Sequence, residues 1–138
     1  MSHFHGDWGA FIERIASMLR AGRDGIDVSS EFSGCTVRWK GRLLQKNLHE
    51  RYAPGVSLEM CPEQVSLGSG KRLRSDYLFV NVDKDMADRW NAVPIGVEVE
   101  FTAGISKQAG PFPGISVSAA DDDQEAVLMV GACEGRPL

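Results

Sequence analysis

The sequence has no apolar run approaching the roughly 18 residues of a membrane-spanning helix, so no membrane role is expected. Its first twenty residues are interrupted by Asp7, Glu13 and Arg14, a pattern unlike the uninterrupted apolar centre of a secretory signal. Cysteine is scarce: Cys35, Cys61 and Cys133 are odd in number, widely spaced and without a C-x-x-C pair. That pattern suits reduced thiols in a cytoplasmic protein better than a disulfide framework. Each cysteine has apolar neighbours, which predicts three buried, inert thiols. Histidine occurs only as His3, His5 and His49, so a metal cluster or an imidazole base has few candidates. His49 lies in a polar stretch beside Glu50 and Arg51.

Catalytic signatures are missing as well. G-x-S-x-G does not occur, and its nearest approximation, Gly114-Ile-Ser-Val-Ser118, falls in a predicted strand instead of a strand-to-helix elbow. Gly68-Ser-Gly-Lys71 departs twice from a phosphate loop, with Val65 at the first glycine and Arg72 after the lysine. It reads as a flexible turn. Asp121–Asp123 lack the spaced ligands and central glycine of a calcium loop and read as a solvated hairpin tip. No catalytic residue, cofactor or metal site is predicted, and the chain is expected not to be an enzyme.

What is present suits one globular domain: 138 residues, 43% hydrophobic and 25% charged, with fifteen glycines and six prolines spread along the chain. A chain of this size buries about two-thirds of its unfolded surface and needs no disulfide or metal to hold a core. Two parts are expected, an N-terminal amphipathic helix with a linker over residues 1–34 and a β-rich domain over 35–138. In the first, Trp8, Phe11, Ile12, Ile15, Met18 and Leu19 recur at helical spacing. Asp7 is placed to cap the first turn, and Gly22 to stop the helix. The apolar face is expected to pack on the domain behind it. The alternative is a homo-oligomer or protein partner reached through Trp8, Phe11 and Ile15.

From Cys35 the period becomes two. Val37, Trp39, Gly41 and Leu43 alternate with Arg38, Lys40, Arg42 and Leu44, a half-buried strand with a bend or bulge at Gly41. Val56, Leu58 and Met60 form a second strand that Pro62 bends or ends, with Val65 and Leu67 beyond it. Tyr77–Val82 is a third, with Leu78, Val80 and Val82 on one side. Residues 83–94 read as a short helix with an acidic start, stopped by Pro94, in which Met86 and Trp90 share the buried face. Val97, Val99, Phe101, Ala103 and Ile105 line the fourth strand, opposite Glu98 and Glu100. Shorter strands follow at 115–119 and 126–130.

This order of elements resembles the OB-fold, a five-stranded barrel with a helix between strands three and four. The likeness covers residues 35–132 and rests on element order and the bent, glycine-containing first strand. It implies a mainly β protein with two helices: an OB-like barrel of five or six strands, preceded by the N-terminal amphipathic helix. A β-sandwich or another barrel topology is the alternative.

Charge separates along the chain. Residues 36–75 hold eight basic against three acidic groups, +5, and residues 76–138 hold four against eleven, −7. If the barrel is OB-like, strands two and three and the loops 45–55 and 106–113 form its ligand face. The resemblance then implies a single-stranded nucleic-acid surface of Lys46, Arg51, Tyr52, Lys71, Arg72, Arg74, Tyr77 and Phe79, with Lys107 and Phe112 nearby. Cations would hold phosphates and aromatic rings would stack bases. The competing reading is an acidic protein-interaction or oligomerisation module. In it Arg38, Lys40 and Arg42 on the first strand are neutralised by Glu98 and Glu100 on the fourth.

Overall fold

The computed structural model of the chain describes residues 3–5, 8–23, 31–32, 34–48, 54–61, 63–105, 114–119 and 125–138. In chain order its elements are β1 (His3–His5), α1 (Trp8–Arg20), β2 (Thr36–Asn47), β3 (Gly55–Glu59), β4 (Gln64–Gly68), β5 (Lys71–Arg74) and β6 (Tyr77–Asn81). A 3₁₀ turn (Lys84–Met86) then runs into α2 (Ala87–Asn91), followed by β7 (Glu98–Ile105), β8 (Gly114–Ala119) and β9 (Glu125–Pro137).

Five of these strands close on one another. β2 pairs antiparallel with β3, β3 antiparallel with β6, and β6 parallel with β9. β9 then pairs antiparallel with β7, which returns antiparallel to β2. The protein is therefore mainly β, built on a closed five-stranded barrel with a short helix between its third and fourth strands. The expected alternation fills the interior: Val37, Trp39 and Leu43 from β2, Leu78 and Val80 from β6, and Val99, Phe101, Ala103 and Ile105 from β7 are all buried.

β2 can serve two neighbours because it bends. It pairs with β7 through residues 36–42 and with β3 through 42–47, and its register slips between Leu43 and Gln45. At the bend, a Cβ on Gly41 would sit 2.6 Å from Met60 Sδ and 3.2 Å from the Glu59 carbonyl oxygen, so the close approach requires glycine. The bulge leaves Leu44 exposed and carries the strand to Asn47, beyond its expected end.

Helices supply the remaining packing. Trp90 of α2 is fully buried, 6.0 Å from the Phe101 ring, and its Nε1 donates to the Gly135 carbonyl at 3.0 Å. α1 lays Trp8 edge-on to Trp39 at 4.8 Å, and sets Phe11 4.9 Å from both Phe32 and Trp39. Trp8 Nε1 donates to the Ser75 carbonyl at 3.1 Å. The helix ends in a Schellman motif: Gly22 has φ +87°, its N–H bonds the Leu19 carbonyl, and the Arg23 N–H reaches back to Met18. Asp7 lies outside the described residues.

Several expectations need correction. Trp8, Phe11 and Ile15 are 4%, 0% and 0% exposed inside the chain itself, so they do not form an oligomer contact. Withdrawing such side chains would cost about 1.5–3 kcal/mol each. Cys35 is buried and Cys133 partly covered, whereas Cys61 is exposed, because it follows β3 where the chain leaves the barrel. The last strand does not stop at 130 but continues to Pro137, and the barrel continues with it. Residues 64–68 and 71–74 form a hairpin of their own. Its two-residue turn has positive φ at Ser69 (54°) and Gly70 (80°), as a type I′ turn needs, so the turn expected at Gly68–Lys71 closes a hairpin. β5 and β8 flank the first part of β9, while β6 and β7 flank its later part, which accounts for the strands beyond five.

Candidate nucleic-acid interface

The expected ligand face includes the outer side of the adjacent strands β3 and β6. Because Leu78 and Val80 point inward, Tyr77, Phe79 and Asn81 point outward and are each partly exposed. Pairing lines up three rows across the sheet. Arg42, Glu59 and Tyr77 form the first; Gln45, Ser57, Phe79 and Gly131 the second; and Asn47, Gly55 and Asn81 the third. Tyr77 Oη and Ser57 Oγ lie 2.8 Å apart in a hydrogen bond that holds the phenol ring along the sheet. Ser57 beneath is only 3% exposed.

Phe79 lies over Gly55, where a Cβ would be 2.6 Å from the ring's Cζ and 2.5 Å from the Val80 carbonyl oxygen. Gly131, its partner on the other side, likewise carries no side chain to stand over the ring. Among the described residues, two glycines and a serine thus leave a tyrosine and a phenylalanine as the large aromatic groups on these three rows. Gly55, Ser57 and Gly131 were not identifiable from sequence. Their importance arises only when β3, β6 and β9 pair, although a glycine opening a strand beside an aromatic strand is a usable hint.

The predicted cations divide into three groups. Arg72 and Arg74 continue the outer face of β6 along β5, but each meets a carboxylate, Arg72 with Glu125 at 3.5 Å and Arg74 with Asp76 at 3.3 Å. The hydrogen bond that Arg74 donates to Asp76, reinforced by the carboxylate's charge, raises the Arg74 pKa above its ordinary value. Lys46 Nζ donates to the Asn91 carbonyl at 2.9 Å, and Lys71 is exposed at the hairpin end; neither has a carboxylate partner among the described residues. Arg51 and Tyr52 lie outside the described residues, as do His49, Lys107, Phe112 and Asp121–Asp123.

The basic stripe of β2 is largely matched within the fold. Lys40 stands opposite Glu100 and Arg42 opposite Glu98 in register. The ion pairs formed are Arg38 with Glu100 at 2.5 Å and Arg42 with Glu59 at 2.7 Å. Arg42 turns to Glu59, not to Glu98, because β2 changes neighbours at that residue and Glu59 lies directly across β3. All these partners are substantially solvated, so each pair contributes about 0–1 kcal/mol and remains exchangeable.

No protein-family signature matches the chain, and no curated protein matches it. Among solved structures, a protein of Klebsiella pneumoniae subsp. pneumoniae, described as a "putative nucleic acid-binding lipoprotein", aligns over 100% of this chain and 92% of its own. The two share 11% identity at a TM-score of 0.43. A similarity of that size decides neither fold nor function.

Proposed function

We propose that the protein is a non-enzymatic, OB-like binding domain that holds single-stranded nucleic acid on the outer face of β3 and β6. The observation that carries this reading is the Tyr77–Phe79 platform, kept low on its flanks by Ser57, Gly55 and Gly131. The closure order and the helix between the third and fourth barrel strands support the OB-like assignment, which makes this the face a ligand would use. Stacking dominates over charge, because Arg42, Arg72 and Arg74 are already paired with carboxylates.

That division sets the test. Stacked bases contribute about 1–3 kcal/mol each, so Phe79→Leu, which preserves cover over Gly55, should weaken binding of a labelled single-stranded oligonucleotide by about 5- to 150-fold. If Lys46 and Lys71 are the principal phosphate contacts, the logarithm of affinity should fall against the logarithm of salt with a slope of about −1.4. Full affinity in Phe79→Leu, or no binding at low salt, would refute the proposal. The self-neutralised β2 stripe favours the second reading, a protein-interaction module. That reading predicts no oligonucleotide binding at any salt concentration.

A further inference from the structure

The row Arg42, Glu59, Tyr77 places a carboxylate beside the aromatic platform. The Met60 N–H bonds the Asp76 carbonyl at 2.8 Å, so the next pair along, Glu59 and Tyr77, is a non-hydrogen-bonded one. In such pairs the Cα atoms are about 4.5 Å apart and the side chains lie closest. The hydrogen bond between Tyr77 Oη and Ser57 Oγ draws the ring along the sheet toward the second row. The Glu59 side chain therefore stands at the flank of the ring.

Glu59 is also held in place. Arg42 Nε and Nη2 both donate to its Oε1, at 3.2 and 2.7 Å. Oε2 has no partner among the described residues, and the side chain is 42% exposed. Arg42 thus orients the carboxylate and balances the charge that would otherwise repel a phosphate chain.

An ionised carboxylate only accepts hydrogen bonds. Guanine presents two neighbouring donors on its Watson–Crick edge, the ring N–H and the amino group. In adenine and cytosine the amino group adjoins a bare ring nitrogen. In thymine and uracil the single N–H lies between two carbonyl oxygens. Each of these sets an acceptor against the carboxylate.

We propose that Glu59 reads the base stacked on Tyr77 and selects guanine, accepting from its ring N–H and amino group. This inference rests on the single-stranded nucleic-acid reading above and adds a base preference to it.

The probes are a short oligothymidine and the same strand with one central guanine, hypoxanthine, adenine or cytosine, each titrated against the full chain by fluorescence anisotropy. Guanine should raise affinity about tenfold over thymine, and adenine and cytosine should not. Hypoxanthine, which keeps the ring N–H and lacks the amino group, should lose most of the gain. Glu59→Gln breaks only a solvated ion pair, so its urea unfolding should match the wild type. It should erase the guanine preference, and freeing Arg42 should steepen the salt slope for oligothymidine by about 0.7. Equal affinity for all five strands, or an intact guanine preference in Glu59→Gln, would overturn the inference and leave the nucleic-acid reading standing. Failure of every strand to bind at low salt would overturn both.

Discussion

Replacing Gly55 by alanine isolates the packing on which the aromatic face depends. The added Cβ would lie 2.5 Å from the Val80 carbonyl oxygen and 2.6 Å from Phe79 Cζ. The ring can swing away, but the carbonyl belongs to the adjacent strand and yields only if β3 and β6 separate. Overpacking of this kind costs about 1–3 kcal/mol, and a backbone obstacle places it near the upper end. Alanine also restricts the unfolded chain, returning about 0.4–1 kcal/mol. The net expectation is a loss of about 2 kcal/mol, which lowers the urea midpoint by about 1 M at a typical slope for a small domain. Oligonucleotide affinity should fall as well, since the displaced ring is the proposed platform. Gly22→Ala is the comparison: with φ +87° and no atom within 4 Å, it carries backbone strain without a steric clash and should leave binding unchanged. A Gly55→Ala midpoint equal to the wild type would refute the packing argument.

Three further outcomes are expected. Ser75 is fully buried and its Oγ has no hydrogen-bond partner among the described residues. Ser75→Ala keeps the backbone carbonyl that Trp8 uses and should be neutral or stabilising by up to about 1 kcal/mol in urea unfolding. Iodoacetamide under native conditions should label exposed Cys61 first, partly covered Cys133 later and buried Cys35 last, an order that peptide mass spectrometry would read. Burial, helped by the charges of Glu134 and Asp83, raises the Cys133 pKa. Its thiol is therefore protonated in both states at neutral pH and ionises first in the unfolded chain. Stability should fall as pH rises through the ordinary thiol range, about 8.5, and the part removed by Cys133→Ala should appear only there.

The barrel was legible where alternation was strong. Val37–Leu43, Leu78–Val82 and Val97–Ile105 each show an apolar stripe of period two, and the structure buries nearly all of these side chains. Val97 is the exception: it precedes β7 and stays exposed. The hairpin at 64–74 was not legible, because Lys71–Arg74 contains one buried residue, Leu73, and one residue shows no period. The end of β9 was hidden by Gly-Ala-Cys-Glu-Gly-Arg-Pro, where Glu134 takes φ 55° and the alternation loses phase. Within the candidate site, the aromatic positions could be read from the strand that carries them. The partners of the cations could not. Arg42 chose Glu59 over Glu98 because a bent strand changed neighbours, and that geometry depends on Gly41 and the bulge after Leu43.

Amide chemical shifts of the ¹⁵N-labelled chain, followed during titration with a single-stranded oligonucleotide at low salt, test the central claim most directly. The account predicts that the largest changes fall on residues 55–59 and 71–81, with Tyr77 and Phe79 foremost, and that residues 98–100 stay still. An absence of change, or changes centred on β7 in place of β3 and β6, would contradict it.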